Sequence, residues 1–263
     1  MRLVRFMMGD QTRYGILEGA LVRELLRPYF ENIVPMLTTY PLADVKLLAP
    51  ARPSKILCIG VNYRDHAAEM KKPMPDEPTL FMKPPSCLAG PGDPIVYPKG
   101  VGRVDHESEL AIVIRRRCRN VAQDKADAAI LGYTCFNDVT ARDLQAKDGQ
   151  WIRAKGFDTF GVVGPWIETA PGDPNRLAVT CRLNGVVKQH SNTDQLAFNC
   201  QYLVSWISRI MTLEPGDVIA TGTPGGVGPM QVGDTVEVEI EGIGVLQNTV
   251  AAEHERPKAT RVQ

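Results

Sequence analysis

The feature that most constrains this chain is a series of short apolar runs, each stopped by glycine, proline or asparagine, with little helical pattern between them. Lys55 to Val61 and Ser108 to Ile114 are nearly continuous apolar runs, which fits buried strands. Leu177 to Val187 carries Asn184-Gly185 between alternating apolar residues, the pair that tolerates the positive φ angles of a tight hairpin. Asp217 to Thr221 is another run. Thr235 to Ile240 alternates through Val236, Val238 and Ile240, because successive side chains of a half-buried strand point to opposite faces. Many strands with little regular βαβ alternation predict an α+β chain that is mostly β, with an antiparallel or mixed core and helices packed outside.

Two helices stand out. The spacing of Leu196, Cys200, Leu203, Val204, Ile207, Ile210 and Met211 predicts an apolar stripe over Gln195 to Met211. Asp194 is the expected N-cap, and Glu214-Pro215-Gly216 stops the chain soon after. A shorter helix is expected over Lys125 to Leu131, closed by Gly132. Leu3 to Met8 and Thr12 to Glu24 read as short strands broken at Gly9-Asp10 and Glu18-Gly19. Leu47 to Pro53 resembles a connector. The expected organisation is therefore a small N-terminal β element over residues 1–50 and a main domain over 51–263.

Charge and cysteine usage exclude several classes. Thirty Lys and Arg balance thirty Asp and Glu among 263 residues, so nothing in the net charge points to nucleic acid as a partner. Six cysteines lack a C-x-x-C pair or regular spacing, and several lie in apolar runs. That pattern fits buried free thiols in a reducing compartment better than a disulfide framework. The N-terminus turns polar by Gly9, too early for a signal peptide, and no apolar run reaches the roughly 20 residues a membrane helix needs. A cytoplasmic protein without a membrane partner is expected.

Chemistry concentrates in four places. Glu107 and Glu109 stand two apart at the start of an apolar strand, so both carboxylates share one face. Like charges held together on a partly buried surface repel, and a divalent cation relieves that repulsion. A solvated strand end accounts for the same pattern without metal. Asp138, Arg142 and Gln145 fall at i, i+4 and i+7, one face if the segment is helical. That trio offers an acid, a fixed cation and an amide, although an ordinary surface Asp–Arg pair has the same spacing. His66 and Glu69 are three apart, within reach across one helical turn, and a carboxylate partner raises imidazole basicity for general-base work. Lys155 sits in Ala154-Lys155-Gly156-Phe157-Asp158, read as a loop. The glycines of Thr221 to Pro229 lack the G-K-[ST] ending of a phosphate loop.

Five segments in this order resemble the fumarylacetoacetate hydrolase family: Gly60-Val61-Asn62-Tyr63 with Asp65 to Glu69, His106 to Leu110, Asn137 to Gln145, Ala154 to Asp158, and Leu213 to Ile219 with Thr221 to Pro224. The resemblance runs from about Pro53 to Val250, some three quarters of the chain. It implies a mixed β-sheet roll with outer helices, usually a homodimer. It implies Glu107, Glu109 and Asp138 as ligands of Mg²⁺ or Mn²⁺, and an all-oxygen donor set independently suits such hard cations. It further implies His66 and Glu69 as a water-activating pair, Lys155 and Gln145 beside the reacting carbonyl, Arg142 next to them, and Thr223 on a substrate carboxylate. The implied substrate is a small 2-oxo or 2-hydroxy-dienoic acid from aromatic catabolism. The implied reaction is C–C hydrolysis of the acylpyruvate type, or decarboxylation and isomerisation of the 2-hydroxyhepta-2,4-diene-1,7-dioate isomerase type. Oxaloacetate decarboxylation, a 2-oxo-4-pentenoate hydratase-like lyase and a non-catalytic binding protein are the alternatives.

Overall fold

The computed structural model describes residues 1–71 and 73–253. Its centre is a twelve-stranded sheet. From one edge the order is Pro35–Pro41, Leu21–Leu25, Gln11–Glu18, Arg2–Met8, Gly161–Glu168, Ile130–Asp138, Ser108–Ile114, Val218–Ala220, Ile56–Gly60 and Thr79–Lys83, with Lys46–Leu48 and Leu88–Ala89 pairing off this path. Most pairs are antiparallel, but Val218–Ala220 runs parallel to Ile56–Gly60, so the sheet is mixed as expected. The N-terminal strands join this same sheet, because Arg2–Met8 pairs with Gly161–Glu168.

Ser108–Ile114 shows why its sequence is nearly all apolar. Leu110, Ile112 and Ile114 enter one core, while Ala111 and Val113 enter a second core on the opposite face. A strand covered on both faces has no solvent side to make polar. The first core is closed by a five-stranded sheet, ordered Val186–Asn192, Ala178–Leu183, Thr235–Ile240, Gly244–Ala252 and Ile95–Tyr97, and by the long helix. The hairpin at Asn184-Gly185 is present, with φ of 52° and 77°, the left-handed pair that the turn requires.

Among the described residues four α-helices are formed: α1 (Arg64–Glu69), α2 (Arg142–Asp148), α3 (Ile152–Lys155) and α4 (Cys200–Ile210). Helix α4 is shorter than its apolar stripe. Asn62 takes the backbone of Ala197 and Phe198 into its own hydrogen bonds, so Leu196 is buried from extended chain. Asn199, not Asp194, is the N-cap, accepting from the Tyr202 N–H at 2.9 Å. The helix expected over Lys125 to Leu131 is a 3-10 turn over Gln123–Ala129, and Ile130 already begins a strand. Gly132 lies inside that strand rather than at a helix end. A Cβ there would come within 2.5 Å of the Glu168 carbonyl, so close strand packing explains the glycine. Among the described residues no helix is long and apolar enough to cross a membrane.

Candidate functional site

The sheet register assembles the three acids. Ser108 pairs with Asn137 and Glu109 with Phe136, and the Asp138 N–H donates to the Glu107 carbonyl at 2.9 Å. Glu107 thus lies across from Asp138, one residue beyond the paired strands. Phe136 faces the second core with Ala111 and Val113, so period two carries Glu109, Glu107 and Asp138 onto that same face. Their carboxylates are buried, with ligand oxygens all within 4.8 Å of one another. They sit at the floor of a cavity of about 510 Å³. Asp138 therefore ends a strand and does not share a helical face with Arg142 and Gln145. Only the latter two belong to α2.

Four cations and four acids meet here, and three of the acids are paired. Lys155, which ends α3 rather than lying in a loop, donates to Glu107 Oε2 at 2.7 Å and Asp138 Oδ2 at 2.6 Å. Lys83, at the end of Thr79–Lys83, pairs with the other Asp138 oxygen and donates to the Val139 carbonyl at 3.1 Å. Arg142 donates Nε to Asp105 at 2.8 Å, Nη1 to Gln145 Oε1 at 2.8 Å, and Nη2 to Glu107. Its guanidinium is engaged along its length, so it orients Glu107 as well as lining the cavity. Half-exposed Arg103 forks onto buried Asp105 at 2.7 and 2.9 Å.

Glu109 is the exception. Among the described residues its side chain has one hydrogen bond, from the Gly222 N–H at 2.8 Å, and none of the four cations pairs with it. Burial, then the neighbouring Asp138 and Glu107, push its carboxyl well above the usual range. Burial pushes Glu107 up too, but Lys155 and Arg142 outweigh it and hold that carboxyl low. A buried acid with neighbouring acids and no cation paired to it is what a divalent ion would satisfy. Three carboxylates also give the oxygen donors hard cations prefer, so the residues fit such an ion.

The walls carry the rest. His66 lines the cavity from α1, with Nδ1 3.2 Å from Glu69 Oε2, so the helical turn brings this pair together. Glu69 also accepts from the Gly226 N–H at 3.2 Å. Thr223 also lines the cavity, 7% exposed. Trp151 and Phe81 make an apolar wall, edge to face at 5.0 Å. Gly60 makes room for it, since a Cβ there would stand 2.9 Å from the indole.

All nine residues singled out in the sequence reach this region. Lys83, Arg103, Asp105 and Gln189 were not among them. Lys83 carries a readable trace, a lysine in step with Phe81 along an apolar strand. Gln189 carries none, since the partners of its amide lie more than thirty positions away in the chain.

A mixed-sheet cavity with converging acids and cations is an enzyme's architecture, and sequence comparison names the family. A profile described as fumarylacetoacetate (FAA) hydrolase C-terminal matches residues 55–251, and one described as Rv2993c-like, N-terminal, matches residues 1–50. The chain belongs to the fumarylacetoacetate hydrolase family, whose members are enzymes. It is 45% identical to the solved 2-hydroxyhepta-2,4-diene-1,7-dioate isomerase from Mycobacterium marinum, with a TM-score of 0.90 over 97% of this chain and 100% of that one. Oxaloacetate tautomerase FAHD2A, mitochondrial, from Bos taurus is 43% identical over 94% of this chain and 79% of the relative. Maleylpyruvate hydrolase from Sphingobium sp. SYK-6, solved with manganese(II) and pyruvate, is 33% identical, with a TM-score of 0.81 over 97% of this chain and 100% of that one.

Proposed function

We propose that this cavity isomerises an enolisable 2-oxo acid by moving a proton beside the oxo group, using Mg²⁺ or Mn²⁺ held by Glu107, Glu109 and Asp138. The observation that carries this reading is the buried carboxylate triad with Glu109 left without a cation. A bound divalent ion supplies Lewis acidity, polarising an oxygen ligand and stabilising negative charge on it. The protein's own residues do the rest. His66, oriented by Glu69, holds or releases the travelling proton at its ring. Gln145 spends its Oε1 on Arg142, which leaves its two N–H groups as the end available to a ligand oxygen in the cavity it lines. Lys155 fixes positive charge at the floor. Trp151 and Phe81 exclude water from one side.

Charge balance supports an anionic substrate. Asp105, Glu107, Glu109 and Asp138 are matched by Lys83, Arg103, Arg142 and Lys155. A divalent ion leaves two positive charges over, the complement of a dianion such as a 2-oxo dicarboxylate. Relatives at 43% and 45% identity bear tautomerase and isomerase names, which favours proton transfer over bond cleavage. The His66–Glu69 pair supports a second reading, C–C hydrolysis by activated water, and a relative at 33% identity is named a hydrolase. As the resemblance implies, the assembly is a homodimer.

Turnover decides between them. Enol-to-keto conversion of oxaloacetate, followed by ultraviolet absorbance with Mn²⁺ and with chelator, should be fast only with metal. Acylpyruvate cleavage without tautomerisation would move the assignment to hydrolysis. Failure to turn over oxaloacetate, dienedioates or acylpyruvates with metal present would remove the enzymatic reading.

A further inference from the structure

Arg103, Asp105, Glu107 and Glu109 fall two apart along the chain through Val104–His106 and into Ser108–Ile114, and all four line the cavity. Side chains two apart on extended chain share one side, so they form a row, with neighbours roughly 7 Å apart. Arg142 spans one step of that row, reaching Asp105 with Nε at 2.8 Å and Glu107 with Nη2. The row thus leads from the candidate ion ligands to a half-exposed guanidinium.

That guanidinium is held at both ends of its residue. A Cβ on Gly102 would stand 1.8 Å from Asp143 Oδ2, so the glycine lets Asp143 accept from the Arg103 N–H at 3.2 Å. The Arg103 carbonyl accepts from the Arg142 N–H at 2.8 Å. Fully buried Asp105 takes one hydrogen each from Nε and Nη2, at 2.7 and 2.9 Å. A guanidinium has five N–H donors, so three remain on Nη1 and Nη2, and among the described residues no protein oxygen takes them. Two of the three lie parallel along the outer edge, the fork that fits a carboxylate. The acids acting on Arg103 are Asp105 and Asp143, and the first is shared with Arg142 while the second accepts from backbone.

We propose that Arg103 is a specificity-determining residue, which receives the distal carboxylate of a 2-oxo diacid whose oxo-acid end sits at Glu107, Glu109 and Asp138. Asp105 is its anchor: it uses up one edge of the guanidinium and leaves the other for the ligand. Because the side chain is already ordered, little freedom is lost when the carboxylate arrives. A monoacid of the same length leaves that edge to water and gains nothing from it. This rests on the reading that a 2-oxo acid occupies the cavity.

Two matched pairs of probes are 2-oxoglutarate with 2-oxopentanoate and 2-oxoadipate with 2-oxohexanoate, each differing only by a distal carboxylate in place of a methyl group. Calorimetry on the Mn²⁺-loaded protein gives the ratio of dissociation constants within each pair. The wild type should favour the diacid by about tenfold in at least one pair, the scale of one net hydrogen bond at a half-exposed site. Arg103→Met should bring that ratio close to one. Arg103→Lys keeps a cation for Asp105 but has no fork, and should lose most of the preference. No preference in the wild type, an unchanged ratio in either variant, or a parallel weakening of both members of a pair overturns the proposal alone. If no 2-oxo acid binds the loaded wild-type protein, the 2-oxo acid reading falls and takes the proposal with it.

Discussion

Replacing Lys155 by methionine separates the lysine's charge from the charge a metal would bring. The ammonium is 2% exposed and touches Glu107 and Asp138 at 2.7 and 2.6 Å. Methionine keeps most of the apolar stem and removes the cation. Each contact is worth about 6 kcal/mol at an effective dielectric near 20, most of it offset by the cost of burying the ammonium. Breaking a buried pair nets about 3–5 kcal/mol. Arg142 still serves Glu107 and Lys83 still serves Asp138, so the loss should fall near the low end, about 3 kcal/mol. A divalent ion on the same acids restores the missing charge, and should cut that loss to about 1 kcal/mol under saturating Mn²⁺. The difference, about 2 kcal/mol, requires Mn²⁺ to bind the variant roughly 30-fold more tightly. Urea unfolding followed by tryptophan fluorescence, with chelator and with Mn²⁺, gives the first pair of numbers, and calorimetry gives the second. An equal loss of stability in both conditions, or an unchanged Mn²⁺ affinity, would refute the sharing of these carboxylates between lysine and metal.

Glu109→Ala should abolish the heat of Mn²⁺ binding while circular dichroism stays native, since only the Gly222 N–H loses its partner; retained Mn²⁺ affinity would remove Glu109 from the ligand set. His66→Ala should lower turnover by about 10²–10⁴-fold with Mn²⁺ affinity unchanged, the range for losing a positioned acid–base group; full activity would assign the proton to another residue. Burial pushes the thiols of Cys135, Cys181 and Cys200 up to about 12 and that of Cys87 up to about 11. A raised thiol pKa lowers the thiolate fraction at pH 8, so a disulfide reagent should label half-buried Cys118 first and all six cysteines only after unfolding. Rapid labelling of several thiols in the native protein would contradict this packing.

Elements whose pattern is local were legible. The runs around Ile56–Gly60 and Ser108–Ile114, the Asn184-Gly185 hairpin and the His66–Glu69 turn each depend on neighbours a few residues away. Helix ends were less so. The stripe from Leu196 to Met211 has helical spacing throughout, yet Asn62, more than 130 positions earlier, holds Ala197 and Phe198 in extended chain. The segment from Lys125 to Leu131 has the composition of a helix, but Ile130 is claimed by pairing with Ile114. Tertiary pairing overrode propensity in both places. The site divides the same way. Glu107 and Glu109 announce a shared face, whereas Asp138 joins them through strand register rather than helical spacing.

That register is also what makes the site stiff. Glu107, Glu109 and Asp138 continue, into the cavity, the period-two rows that place Ala111, Val113 and Phe136 in the second core. Slipping either strand by one residue would carry its acids toward the first core and its apolar residues into the cavity, a change penalised along the whole strand. The spacing of the carboxylates is thereby held by core packing rather than by contacts among themselves. Like charges can be kept close in the absence of metal because the sheet, together with Lys83, Lys155 and Arg142, resists their separation. Glu109 gains least from that resistance. None of the neighbouring lysines or arginines pairs with it, so the affinity of the centre for a divalent ion should depend on Glu109 more steeply than on Glu107 or Asp138.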